Sequence, residues 1–248
     1  MDAISRGFAE LVDRRDEIAC LKYIGKYNTF YNSQYYNYSM NMLQRVCEVR
    51  LNKVAIALID KNCDLTYQGE MGQTALIYAY NSGLQDVVTH IIDKSRDTVT
   101  RCIMMNDLSF YSSLSYSEMM YICAYNNKYS TTHIIKMIDR GYDIHYNNSD
   151  ISLLTIAIQT NEQIVKKLID IDVDYVEWFD TYCRKHNFKR QIYCNIRKYS
   201  HDRYDDYKGA VIAAMNDTSP TNALYQSFRN TYAVELVDII CDFILLRM

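Results

Sequence analysis

The stretch from Gly72 to Asp97, GQTALIYAYNSGLQDVVTHIIDKSRD, can be laid over three other parts of the chain. Moved toward the N-terminus it falls apolar on apolar: Leu76 on Leu43, Leu84 on Leu51, Val87 and Val88 on Val54 and Ala55, and Ile91-Ile92-Asp93-Lys94 on Leu58-Ile59-Asp60-Lys61. Moved forward, Ala79-Tyr80-Asn81 lands on Ala124-Tyr125-Asn126, and after one extra residue Ile91-Ile92-Asp93 lands on Met137-Ile138-Asp139. A fourth copy sets Leu154 and Ala157 on Tyr121 and Ala124, and Leu168-Ile169-Asp170 on Met137-Ile138-Asp139. Each copy carries a second Asp four residues after the first: Asp60/Asp64, Asp93/Asp97, Asp139/Asp143 and Asp170/Asp174.

A period of roughly 33 residues with two apolar stripes in each predicts a helix-turn-helix solenoid. Leu76 and Ala79 share one stripe, and Val87, Val88, Ile91 and Ile92 form the second, at the spacing of three and four that places residues on one helix face. Neither stripe can bury itself, so each helical pair must stack on the next, and stability comes from nearest-neighbour interfaces. Only 7 Gly and 1 Pro, with 49% hydrophobic residues, suit a helical array and argue against disorder or a loop-rich β fold.

These units resemble ankyrin repeats. The best copy carries Gly72-x-Thr74-Ala75-Leu76, Ala79, Gly83, Val87-Val88, Ile91-Ile92 and Asp97. The resemblance implies an all-α ankyrin-type helical solenoid with divergent N- and C-terminal helical caps. Its divisions are residues 1–36 as helical cap and Tyr/Asn-rich loop, 37–175 as repeats with an insertion at 98–116, and 176–248 as a C-terminal helical region. Where the family has Thr-Pro-Leu-His, this chain has Asn41-Met42-Leu43-Gln44, Thr74-Ala75-Leu76-Ile77, Met119-Met120-Tyr121-Ile122 and Ser152-Leu153-Leu154-Thr155. The Thr-His network that ties neighbouring repeats is therefore expected to be missing, and the array to be less regular. The resemblance also implies a non-catalytic protein that binds a protein partner through hairpin tips and the exposed ends of the first helices. In this register those positions are Asn37, Tyr38 and Glu48; Glu70, Met71, Gln73, Asn81 and Ser82; Asn126 and Asn127; and Asn148, Ser149, Gln159 and Thr160. That surface reads as polar, Asn-rich and nearly uncharged.

Outside the repeats, residues 1–25 predict two helices, one around Phe8, Leu11 and Val12 and one around Ile18, Leu21 and Ile24, with Asp16 as cap between them. Residues 28–38 interleave Tyr, Asn and Ser without helical period and contain no Lys or Arg. They read as a loop packed over the first repeat more than as a stacking platform for bases. The insertion predicts one extra helix or an ordered loop. Beyond Tyr175 the spacing predicts helices over 175–183, 188–199 and 210–215, a helix start at Ser219-Pro220, and a last helix over 232–246. That last segment reads as a closing cap. Its alternative, from a weak resemblance to the first helix of an F-box, is an adaptor contact to ubiquitin-ligase components through Val237, Ile240 and Phe243.

Between Cys183 and His201 there are six basic residues, Arg184, Lys185, Lys189, Arg190, Arg197 and Lys198, and no acidic ones. They read as a solvated capping face, with nucleic-acid binding as the alternative; a net charge of −3 gives no global attraction for phosphate. Cys183, His186, Cys194 and His201 are zinc-ligand types, but one straight helix cannot wrap a metal, so neither a metal nor another cofactor is expected. The eight cysteines stand singly with no Cys-x-x-Cys pair and read as reduced, buried thiols. No phosphate loop, nucleotide fingerprint or nucleophile elbow is present, and the five histidines are scattered, with His90 and His133 reading as equivalent positions of successive repeats. No apolar run is long enough to span a membrane, and a cytoplasmic location is expected. The abundance of Tyr, 24 residues, with frequent Asn and Ile resembles ankyrin proteins of large DNA viruses, which would make that the host cytoplasm.

Overall fold

The computed structural model describes residues 2–35, 40–69, 71–95, 100–105, 114–125, 128–172, 174–186, 191–219, 221–222, 225–226 and 239. Helices α1 (Ala3–Asp13) and α2 (Glu17–Lys26) are followed by α3 (Met42–Glu48), α4 (Asn52–Asp60), α5 (Ala75–Asn81) and α6 (Gln85–Lys94). A ribbon of β1 (Cys102–Met105) and β2 (Leu114–Ser117) precedes α7 (Glu118–Ala124) and α8 (Ser130–Asp139). Then come β3 (Asn147–Asn148), β4 (Ile151–Ser152), α9 (Leu153–Thr160), α10 (Glu162–Ile171), α11 (Asp174–Lys185) and α12 (Gln191–Asn216). The chain divides after Ile156 into two units.

In the first unit the helices pair as α1/α2, α3/α4, α5/α6 and α7/α8. First helices stack on first helices, α1 on α3 on α5 on α7, and second helices likewise, α2 on α4 on α6 on α8. This two-layer succession is what the repeat period demands. The stripes read from the sequence face inward: Leu43, Val54, Ala55, Leu58, Ala79, Val87, Val88 and Ile92 are all fully buried. Residues in the left-handed region close the helices at matching places: Arg50 (φ 65) after α3 stands one repeat before Gly83 (φ 74) after α5.

The N-terminal pair forms as expected, with Asp16 Oδ1 accepting from Ala19 N at 2.9 Å. Its buried stripe on α2 is Cys20 and Ile24, whereas Ile18 is 69% exposed. The loop after α2 packs inward: Phe30, Tyr31 and Tyr35 are buried, Phe8 and Phe30 have ring centroids 4.5 Å apart, and Tyr31 Oη donates to Tyr27 O at 2.7 Å. Tyr31 and Tyr35 are thus core residues and not a platform for bases.

Three expectations need correction. First, the register of the third copy slips by two residues. Thr74 and Ser117 are the N-caps of α5 and α7, so Leu76 and Ala79 correspond to Met119 and Ile122, not to Tyr121 and Ala124. Burial agrees, because Met119 and Ile122 are buried like Leu76 and Ala79, whereas Ala124 is exposed. Second, the insertion forms no helix among the described residues. Its strands pair antiparallel, Cys102 opposite Ser117 and Ile103 opposite Tyr116. The ribbon is tied to the preceding hairpin tip by Met104 N donating to Met71 O at 3.0 Å, and to the following one by Asn148 Nδ2 donating to Ser115 O at 3.3 Å.

Third, the polar ties between repeats are replaced, not missing. Asn41 and Gln44 form a capping box, and Gln44 Nε2 then donates to Tyr67 O (3.1 Å) and Gln73 O (2.8 Å), while Asn41 Nδ2 donates to Asp64 O (3.2 Å). Gln44 thus ties α3 to the hairpin tip that follows α4. At the next junction Thr74, fully buried, donates its hydroxyl to Glu118, whose other oxygen faces Arg101 Nη1 at 3.7 Å.

The paired aspartates divide their work. Two of the second aspartates close turns: Asp64 Oδ1 accepts from Thr66 N at 2.8 Å, and Asp143 Oδ1 from His145 N at 2.9 Å. Asp60 and Asp93, the first of their pairs, reach the next repeat instead. Asp60 meets His90 (2.9 Å) and Lys94 (3.4 Å), and Asp93 meets Lys136 (2.6 Å) and Arg140 (3.1 Å). The His90 hydrogen bond, with Lys94 behind it, lowers the Asp60 pKa; the Lys136 and Arg140 bonds do so for Asp93.

His90 and His133 are not equivalents. His133 stands where Val87 stands in the preceding repeat and is 3% exposed, with no hydrogen-bond partner for Nδ1. Burial, with Lys136 adding to it, lowers its pKa below the ordinary 6.5. The unfolded chain then takes the proton first, so stability is complete above about pH 6.5 and falls as the pH drops below it, by at most about 1.4 kcal/mol per pH unit. His133→Val, which copies the neighbouring repeat, is expected to flatten that slope between about pH 6.5 and 5 in denaturation measured across pH.

In the second unit α10 packs against α11 and α12. Ile164, Val165, Leu168 and Ile169 fill the inner face of α10, and Tyr175, Phe179 and Cys183 that of α11. The two short helices expected over 188–199 and 210–215 are parts of one 26-residue helix, α12, which continues through Gly209. Asp170 repeats the role of Asp60 and Asp93, accepting from Tyr199 Oη at 2.6 Å and meeting Arg203 at 3.1 Å. The helix start expected at Ser219-Pro220 is displaced: Ser219 N donates to Asp217 Oδ1, and Asn222 is the residue whose side chain accepts from Tyr225 N. The last predicted helix, with Val237, Ile240 and Phe243, lies outside the described residues except for Ile239.

Candidate functional site

The surface that consecutive repeats build together in the first unit is the outward face of α3, α5 and α7. Residues three apart on a helix share a face, so each first helix offers two rows. The outer row is Glu48, Asn81 and, in the corrected register, Ala124, all exposed. One turn earlier lies the inner row of Arg45, Tyr78 and Tyr121, half-buried or buried. The inner row was not foreseen. Its signal was available, since Tyr78 follows Arg45 by one repeat period.

Electrostatics and rings bind these rows into one patch. Arg45 bonds Glu48 at 2.7 Å and Asp13 at 3.0 Å and lies 5.3 Å over the Tyr35 ring. Tyr35 Oη also donates to Asp13, and burial followed by that bond raises the phenol's pKa. Burial, with the Glu48 charge adding to it, raises the pKa of Tyr78. The Tyr121 hydroxyl accepts from Asn81 Nδ2 at 3.0 Å and donates to Asn81 Oδ1 at 3.2 Å, and its ring stacks on Tyr125 with centroids 4.4 Å apart. Tyr125 is 53% exposed. The patch carries two carboxylates, one guanidinium and three tyrosines.

Of the positions expected to touch a partner, Glu48, Asn81 and Ser82 fall on or beside this patch. Met71 and Gln73 lie at the α4–α5 hairpin tip, where Met71 O and Gln73 O are taken up by the ribbon and by Gln44. Asn148 and Ser149 lie at the β3–β4 turn, with Ser149 at φ 59. Gln159 and Thr160 end α9, and Gln159 Nε2 donates to Tyr182 Oη at 2.9 Å. Asn37, Tyr38, Glu70, Asn126 and Asn127 lie outside the described residues.

The basic segment and the zinc-type residues belong to the second unit. Arg184 Nε donates to Asp180 O, and Arg197 lies 3.9 Å from the Asp180 carboxylate and 5.7 Å over the Tyr193 ring. Lys189 and Arg190 lie outside the described residues. Cys183 is buried and its thiol is pushed up to about 11 by burial, Cys194 is exposed, and His201 Nδ1 sits 3.1 Å from Asp205. Among the described residues no group of three or more His, Cys, Asp or Glu is placed to hold a metal ion. Burial likewise raises the thiols of Cys20, to about 11, and Cys63, to about 12, so both stay protonated core residues. Among the described residues no helix is long and apolar enough to cross a membrane.

Stacked helical pairs with hairpin tips between them define an all-α helical solenoid of the ankyrin type. Among solved structures the chain is similar to an ankyrin repeat protein, EF0377, with 16% identity over 61% of this chain and 90% of that one and a TM-score of 0.34. It is also similar to a chain of the complex between the predatory endopeptidase Bd0816 from Bdellovibrio bacteriovorus and the immunity protein Bd3460, with 16% identity over 63% and 92% and a TM-score of 0.35. No protein-family profile matches the chain. No curated protein matches it in sequence.

Proposed function

We propose that the protein is a non-catalytic interaction module that holds a protein partner against the α3–α5–α7 face, with caps at 1–36 and 176–248 and repeats at 37–175. The observation that carries this reading is the continuous patch of Asp13, Arg45, Glu48, Tyr78, Asn81, Tyr121 and Tyr125 across three consecutive repeats. Tyrosine and arginine supply large contact area and directed hydrogen bonds at little entropic cost, and they dominate binding hot spots. The hairpin-tip positions Met71, Gln73, Asn148 and Ser149 extend the same contact. The Tyr- and Asn-rich composition supports an origin among the ankyrin proteins of large DNA viruses and action in the host cytoplasm.

The test is affinity capture from cells with the full chain as bait. Tyr125→Ala combined with Glu48→Lys is expected to lower recovery of the captured protein at least about tenfold, the effect of about 1.4 kcal/mol, with helicity unchanged. Arg184→Ala combined with Arg197→Ala is expected to leave recovery intact. The reverse pattern, with capture that collapses as salt rises, would transfer the function to the basic segment and nucleic acid.

A further inference from the structure

The second unit contains a groove of about 1140 Å³ between α10, α11 and α12. Its floor is apolar: Ile169 and Val176 lie beside Phe179, whose ring stacks on Tyr193 with centroids 5.8 Å apart. Ile171 and Tyr207, which are 48% and 43% exposed, line it as well. A groove of this size and character suits a small organic molecule better than a bare ion. We propose that it binds an apolar organic cation, a molecule whose protonated amine donates to Asp180 and whose hydrocarbon part covers the Phe179–Tyr193 floor.

Asp180 decides the class of ligand. Its Oδ1 is buried and accepts no hydrogen bond, and Arg197 Nε stands 3.9 Å away, beyond hydrogen-bond reach. A buried acceptor without a donor is costly, and a ligand that brings an N–H there recovers that cost. Arg197 is held elsewhere: its guanidinium lies 5.7 Å over the Tyr193 ring, and its side chain is 60% exposed. That contact also shows that the Tyr193 face accepts a cation.

Two other carboxylates of the lining are already answered. Asp170 accepts from Tyr199 Oη at 2.6 Å and meets Arg203 at 3.1 Å, and Asp205 meets His201 at 3.1 Å. Among the described residues the lining sets four aspartates, at 170, 180, 202 and 205, against two arginines and one lysine, at 197, 203 and 198. A cation therefore meets net attraction in the groove, and an anion meets repulsion.

Three ligands of one skeleton separate charge from fit: the biphenyls bearing an aminomethyl, a hydroxymethyl or a carboxylate group, each titrated into the full chain by calorimetry at neutral pH. The amine is expected to bind about tenfold more tightly than the alcohol, and the carboxylate more weakly than either. Asp180→Asn keeps the shape of the side chain and removes its charge. It is expected to abolish the amine's advantage and to leave the affinity for the alcohol within about twofold. The comparison of the three ligands on the unaltered chain holds by itself where that variant fails to fold. The inference is overturned if amine and alcohol bind alike, as they would with a water satisfying Asp180, if the amine's advantage survives Asp180→Asn, or if none of the three binds.

Discussion

Glu118→Ala is expected to cost the first unit about 3–4 kcal/mol and to lower its melting temperature by about 10 °C. Glu118 opens α7 and is 5% exposed. It receives the hydroxyl of the fully buried Thr74 from α5's N-cap and faces Arg101, itself 8% exposed, at 3.7 Å. Removing it takes a carboxylate away from a buried guanidinium and an acceptor away from a buried hydroxyl. Each is a desolvation penalty that water cannot relieve. Glu118→Gln keeps an acceptor for Thr74 and loses only the charge, so it should fall between the two. Hydrogen exchange would localise the loss to β1, β2 and α7. A melting temperature unchanged to within about 2 °C would show that this junction carries no such burden.

Gly72→Ala should cost about 3 kcal/mol for a different reason. Gly72 has φ 74, and a Cβ there would sit 2.3 Å from Cys102 O, inside any tolerable contact. The ribbon cannot simply withdraw. Gln68 Nε2 donates to Gly72 O (2.9 Å) and to Cys102 O (3.1 Å), and Met104 N donates to Met71 O, so backing off breaks the bonds that join the hairpin tip to β1. Gly83 separates the two contributions: its φ is also 74, but nothing lies within 4 Å of its absent Cβ. Gly83→Ala should therefore cost only the left-handed penalty, about 1 kcal/mol. Equal losses at the two positions in chemical denaturation would refute the close-approach argument.

The patch proposed to hold a partner was partly legible. That Glu48, Asn81 and Ser82 stand at the outer ends of α3 and α5 followed from the repeat register alone, because the end of a first helix recurs at a fixed offset. Arg45 and Tyr78 had a signal in their one-period spacing that was passed over, whereas Asp13 and Tyr121 had none, because their partners lie far away in the chain: Asp13 with Arg45, Asn81 with Tyr121. The third copy was also misplaced. Met119-Met120-Tyr121-Ile122 is apolar at every position, so hydrophobic pattern fits two frames equally, and that slip moved the expected contacts to Asn126 and Asn127.

What the sequence determined by itself was the repeat and its stripes. The helical period fixes which side of each helix is apolar, the recurrence of the whole unit fixes that the helices come in like pairs, and a capping residue such as Asp16 acts on its own next turn. Tertiary structure decided the rest. It chose Met119 and Ile122 as the buried face of α7, because stacking on α5 buries one frame and exposes the other. It made the insertion a β-ribbon, because strand pairing and the tie to Met71 are contacts between distant residues. It gave Gln44 the inter-repeat bond, because its partners are backbone carbonyls 23 and 29 residues ahead, which no local pattern in the chain encodes.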